Sequence, residues 1–402
     1  MVLAVAAVIV LSLAGMGRVS AQEAAVNAFS PYTMYGVGEL GTNGNAINKS
    51  MGGTGVALRS TQMASLLNPA GYSATLRKSF ILEVGLEGNF LKNEQRKYPT
   101  LDASNYTTAE NAKNSVNIRE IAVQFPVAKG LGFGLSLVPY SSVGYKMHTF
   151  EQSEDIWGTL GGVMYNYQGD GDLTEVKAGF GWEIFKGFSV GIAAKYYWGY
   201  INHNYTTSIY GDYVGSGDFV SANGNDEYAI SNFKFQAGLQ WNIVANNKRM
   251  ITLGATYDYG GPLRPKVTQT AYIGDLTQTV VAQEDSRGQM RLPHAVNAGI
   301  TYQDAKIVTS FDYEYQNWGG ANAFYKQDAY SGMSIGYVDT HTYKFGFEYT
   351  PNRFDARNYF NRVAYRIGAR YGDYYQSFGG AKLNQYAVTA GFAFPLRFMG
   401  AT

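Results

Sequence analysis

Between residues 80 and 395 the hydrophobic period of the chain is two, and it persists over stretches longer than ordinary strands. In SNFKFQAGLQWNI, residues 231–243, Phe233, Phe235, Ala237, Leu239, Trp241 and Ile243 alternate with Asn232, Lys234, Gln236, Gly238, Gln240 and Asn242. One face of such a strand is apolar and the other polar. Twelve segments read this way, near 80–92, 115–128, 131–149, 161–184, 187–206, 229–244, 249–262, 290–303, 305–317, 339–349, 361–374 and 383–395. Their links alternate between short ones, at 127–132, 185–188 and 302–306, and long polar ones, at 207–228, 263–289 and 318–338. Short turns at one end and long loops at the other are the signature of a transmembrane antiparallel β-barrel with periplasmic turns. A soluble sandwich or propeller is the competing architecture, but such folds rarely combine so many long strands with this loop asymmetry.

Composition agrees with a surface held largely out of water. Aromatics reach 15%, with 33 Tyr, while charged residues make up only 16%, below the usual quarter. In GFSVGIAAKYYWGY the outward stripe Phe188, Val190, Ile192, Ala194 passes into Tyr196, Trp198 and Tyr200, where a strand leaving hydrocarbon places amphipathic rings. The other parity carries charge: Lys177, Glu183, Lys195, Lys234, Asp312, Glu314, Lys344, Glu348, Arg366 and Arg370 all point inward, which makes a polar lumen. A net charge of +1 without a Lys/Arg run argues against a nucleic-acid partner.

Enzymatic chemistry finds little to work with. Cysteine is absent, so disulfides, thiolate metal sites and a catalytic Cys are excluded. Of the four histidines, His148, His203, His294 and His341, none lies in a nucleophile motif, and the chain reads as a non-enzyme, with an outer-membrane lipase or protease as the lesser alternative. GDGD at 169–172 reads as an acidic turn that could bind calcium, yet Gly and Asp are ordinary turn residues. No metal and no cofactor is expected.

The first residues hold an apolar core from Val2 to about Leu13, then small residues ending in Val19-Ser20-Ala21. This reads as a signal peptide, 1–21, although the basic n-region is missing. A membrane anchor is the alternative, but the run is short of the roughly 18 apolar residues a spanning helix needs. Export followed by insertion into the outer membrane is the localisation these features imply.

Ahead of the strands, Ala57, Leu58, Met63, Ala64, Leu66 and Leu67 predict a helix of two or three turns, capped by Ser60 and stopped where Pro69 forces Asn68 out of helical geometry. A helix so short must be buried against something. The shelter available is the lumen, so the region 22–78 is expected to supply a plug, from about 27 to 74, inside the barrel 79–402. A tail outside the barrel is the alternative.

MGGTGVALRSTQMASLLNPAGYSA, with Gly52, Gly53, Gly55 and Asn68-Pro69-Ala70, resembles the amino-terminal hatch of the FadL-type outer-membrane transporters for long-chain fatty acids and other hydrophobic compounds. The preceding FSPYTMYGVGEL is similar to openings of Bacteroidota members, and RLPHAVNAGITY at 291–302 and SFDYEYQNW at 310–318 resemble strands of that family. The resemblance implies a fourteen-stranded barrel with a kinked third strand that opens the wall beside the hatch. Pro139, Tyr140 and Gly144 stand where that kink would be, since Pro removes a ladder donor and Gly weakens pairing; a bulge without a transport role is the other reading. Twelve strands rather than fourteen are readable, and the chain ends FAFPLRFMGAT without the family's last hairpin.

On this resemblance Asn68, Pro69, Ala70, Gly52, Gly53 and Gly55 form the gate. Asn68 is expected beside the kink, Pro139 and its neighbours form a lateral exit, and Met63, Leu66 and Leu67 border a ligand pocket. Passive uptake of a hydrophobic small molecule or lipid is the leading function, with no energy source. The alternative is a non-transporting barrel that serves a larger outer-membrane complex, docking a protein partner through its long extracellular loops.

Overall fold

The computed structural model describes residues 30–97, 107–150, 162–210, 222–246, 248–273, 278–287, 289–321 and 334–395; the signal segment lies outside them. The predicted strands form one antiparallel meander. They are β1 (Ile81–Lys97), β2 (Thr107–Ala128), β3 (Leu131–Phe150), β4 (Gly162–Phe185), β5 (Phe188–Tyr210), β6 (Ala222–Ala245), β7 (Arg249–Tyr259), β8 (Ala295–Asp304), β9 (Ile307–Gln316), β10 (Thr340–Tyr349), β11 (Ala364–Phe378) and β12 (Ala381–Ala393). Each pairs with the next in sequence. Among the described residues no ladder joins β12 to β1.

Parity follows the pattern of the sequence. On β6, Phe233, Phe235, Leu239, Trp241 and Ile243 are exposed on the outside, whereas Lys234, Gln236 and Gln240 are buried within. Outward rings meet across strands, Tyr196 tilted against Phe233 at 4.7 Å and Phe185 stacked on Phe188 at 4.8 Å, so the hydrophobic exterior is continuous between neighbours. No helix among the described residues is long and apolar enough to cross a membrane.

Two expectations are revised. The long link 263–289 contains a hairpin, Lys266–Ile273 with Gln278–Arg287, which continues the sheet by pairing with residues 222–229 of β6. GDGD is no turn: it lies inside β4, with Asp170 opposite Asn202 and Asp172 opposite Tyr200.

Residues 30–76 occupy the interior. A 3-10 turn at Pro31–Met34 leads to a two-residue strand, Glu39–Leu40, then to helix α1 (Ala46–Ser50), and a second 3-10 turn spans Pro69–Ala74. Near the long-loop end Met34, Tyr35 and Val37 pack with inward-facing Tyr145, Leu173, Ile201, Trp318 and Tyr375. This end of the lumen is therefore aromatic rather than polar.

Candidate functional site: the plugged lumen and the split wall

Four glycines, each at inward parity on a different strand, lie directly opposite one another: Gly132 on β3, Gly181 on β4, Gly191 on β5 and Gly238 on β6. Against this side-chain-free track lies the Asn68-Pro69-Ala70 turn. A methyl group at 181 would overlap the Pro69 carbonyl, at 191 the Ala70 amide, and at 238 the Asn68 side chain. Glycine serves here by permitting close backbone approach. Asn68 is fully buried. Its amide donates to Val56 O at 2.9 Å and Leu239 O at 3.0 Å, while its Oδ1 accepts the Ala70 N–H at 3.0 Å. With φ −131° and ψ 116° it caps the turn that Pro69 begins. It sits against β6 and β7, so the expected place beside Pro139 is not where the structure puts it.

The helix predicted over 57–67 does not form; the segment is irregular. Barrel side chains accept amides of this segment and of the residues just ahead of it. Asp312 accepts from Gly55 N at 2.6 Å and Val56 N at 2.9 Å, Glu83 from Ala64 N at 2.9 Å, and Gln124 from Ser65 N at 2.8 Å. Ser60 makes only a local bond to Gln62 N. The helical turn of this region is α1 instead, with Asn45 and Asn48 in a reciprocal capping box. Gly53, at φ +87°, closes it by donating to Asn48 O at 2.8 Å. Gly52 donates to Thr389 on β12 at 3.0 Å. Lys49 pairs with Glu87 on β1 at 2.8 Å, so α1 is tied to both the first and the last strand. Met63 packs with Met51, Leu58 and Val308, and Leu66 with Ala64, Ile81 and Ala122.

Above the glycine track runs a row of lysines, Lys177 on β4, Lys195 on β5 and Lys234 on β6, again directly opposite one another. Like charges so placed repel, and carboxylates offset them. Lys195 pairs with Asp258 at 2.6 Å and Glu175 at 3.3 Å. Lys177 donates to Leu66 O of the plug and Lys234 to Pro262 O at 2.9 Å. Across the lumen Lys344 pairs with Glu314, and Arg366 with Glu348 at 2.7 Å. Two cavities remain at this belt, one of about 90 Å³ bordered by Leu66 and Leu67 of the plug and by Lys177, Lys195 and Glu175, the other of about 450 Å³ bordered by Thr42, Tyr140, Glu314, Lys344 and Arg370.

The wall itself parts at the proline. Among the described residues β2 and β3 pair only between residues 121–128 and 131–137. Beyond that point β2 pairs only with β1, and β3 with β4 through a register shift between Pro139 and Ser141. Plug segments fill part of the split: Glu39–Leu40 pairs with Ser141 and Ser142, and Gly41 N–H donates to Tyr140 O at 2.8 Å. Thr33 exchanges hydrogen bonds with both the N–H and the carbonyl of Gly144, each at 3.1 Å. Arg119 reaches Thr42 O at 2.6 Å and Glu87 at 2.9 Å. A cavity of about 250 Å³ remains, with Phe90, Leu91 and Ile118 beside Glu39, Arg119 and Ser142. The glycine track and Arg119 had no motif to announce them; inward-parity glycine on successive strands was the signal available.

A family model described as BamG matches residues 1–401. The chain belongs to the BamG family. Among solved structures it is similar to the Pseudomonas putida toluene transporter TodX, at 16% identity and a TM-score of 0.51, covering 82% of this chain and 83% of that one. A TodX deltaS2S3 mutant monoaromatic hydrocarbon channel is similar at 18% identity, TM-score 0.50, with the same coverage of 82% and 83%. These likenesses show a TodX-like fold. No curated protein matches the sequence.

Proposed function

We propose that the protein is an outer-membrane barrel whose lumen is closed by its plug, acting as an accessory subunit of a larger membrane assembly rather than as a carrier. The charged cavities carry this reading. A site for a hydrophobic ligand is mainly apolar, whereas the cavities of about 90 and 450 Å³ that remain here are bordered by Glu175, Lys177, Lys195, Glu314, Lys344 and Arg370. The BamG name of the family also hints at an accessory role in a complex. Such a barrel needs neither cofactor nor energy source. Extraction in mild detergent with mass spectrometry of proteins and lipids tests it: a protein partner in fixed ratio is expected. A barrel that isolates alone with a bound hydrophobic molecule refutes it.

The split at Pro139 favours a second reading, passive passage of a hydrophobic compound. The gap and its cavity of about 250 Å³ would be the lateral exit, with Pro139, Tyr140 and Gly144 shaping it and Met63, Leu66 and Leu67 as inner contacts. Under this reading Pro139→Ala reduces uptake of a hydrophobic probe by reconstituted vesicles; unchanged uptake removes it.

A further inference from the structure

The link between β10 and β11, residues 350–363, differs from the other links at that end of the wall, which occupy only residues 129–130, 186–187, 246–248 and 305–306. Its own polar groups fold it. Asp355 accepts the N–H groups of Arg357 at 2.8 Å and Asn358 at 2.9 Å and the side chain of Asn361 at 2.6 Å, while Asn352 N–H donates to Asn361 O at 2.8 Å.

Two tethers place it across the rim. Arg353 reaches Glu348, an inward residue of β10, at 3.2 Å. On the opposite side Tyr365, an outward residue of β11, donates to Phe360 O at 3.2 Å. The two exposed phenylalanines therefore have different surroundings. Phe360, 66% exposed, belongs to the lipid-facing side, where Tyr365 packs on Phe392; insertion at the membrane interface accounts for it. Phe354, 91% exposed, follows Arg353, whose guanidinium is anchored to inward-facing Glu348. Nearby Arg357 is exposed, and its guanidinium meets no partner among the described residues.

A bare ring on a hydrogen-bonded scaffold that also carries an exposed arginine matches the composition of binding anchors, for which aromatic and Arg side chains are favoured. The scaffold also lowers the ordering cost of association. We propose that Phe354 and Arg357 dock into an apolar, acid-rimmed socket on a partner protein that approaches the barrel from its short-turn end. This rests on the accessory-subunit reading and names the surface through which it works.

The test places a photo-reactive benzoylphenylalanine at 354 or at 360 of the full chain in native outer membranes. At 354 a single protein adduct is expected, and at 360 lipid adducts. Arg357→Glu lowers the 354 adduct, and Phe354→Ala weakens the detergent-extracted complex by about 10- to 100-fold, as truncation of a buried aromatic anchor does. Binding also weakens as salt rises. Heat-shifted mobility on gels confirms that each variant is a folded barrel. Lipid adducts at 354, or a protein adduct insensitive to Arg357→Glu, overturn the docking site. A partner that co-purifies while 354 captures nothing overturns it too, yet leaves the accessory-subunit reading standing; absence of any stoichiometric partner removes both.

Discussion

Replacing Asn68 by Ala isolates what holds the plug turn to the wall. The substitution removes the acceptor that caps Ala70 N–H, worth about 1 kcal/mol, and two amide donations, at 2.9 and 3.0 Å, worth about 0.5–1.5 kcal/mol each. The carbonyls left behind are not both orphaned, because Val56 O still receives Gln240 Nε2 at 3.1 Å and Leu239 remains in its ladder. A loss of about 2–4 kcal/mol follows, which raises the population with this turn detached by about 30- to 700-fold. Hydrogen exchange followed by mass spectrometry in micelles reads this directly at the Ala70 and Gly71 amides. Asn68→Asp keeps the cap but sets a carboxylate against carbonyl oxygens in a site with no exposure, so it is expected to exchange faster than the Ala variant. If exchange in Asn68→Ala stays within about threefold of wild type, well below that range, the glycine track alone holds the turn. An Asp variant as protected as wild type would refute the hydrogen-bond assignment.

Gly191→Ala should push the Ala70 backbone off β5 at a cost of about 1–3 kcal/mol, seen as protease sensitivity of residues 65–75 with barrel melting little changed; a protected plug would show that the track is not its seat. Phe235→Arg, at an outward position 59% exposed, should destabilise folding into lipid by about 2–4 kcal/mol near the midplane, whereas Thr342→Arg, beside the polar lumen, costs much less; equal costs in urea titrations would refute the parity. The Asn361 side chain, then the amides of Asn358 and Arg357, hold the Asp355 carboxyl below the usual carboxylate range. Its contribution to the 350–363 loop is thus complete above the unfolded value, near 3.9, and is lost as pH falls through the lower folded value. Cleavage after Arg357 by an acid-tolerant protease should rise only in that acid window, and Asp355→Ala should remove the protection at neutral pH.

The wall was legible because side-chain alternation is a property of the extended backbone itself. Phe233 to Ile243 state which face is wet whatever the rest of the chain does, and the asymmetry of the links states which ends turn tightly. Asn68-Pro69 was legible for the same reason, since Pro fixes the conformation of its neighbours. Local pattern failed at 57–67, where apolar spacing favoured a helix. The amides of Ala64 and Ser65 instead found Glu83 and Gln124, acceptors brought close only by the packing of distant strands, and a segment takes whichever bonds leave fewest buried groups unpaired. The lysine row and glycine track likewise arise from cross-strand register. Each residue was visible in the sequence as an inward position, but only pairing made Lys177, Lys195 and Lys234 neighbours, and only that adjacency, with its demand for carboxylates and plug carbonyls, lines the middle of the lumen with charge.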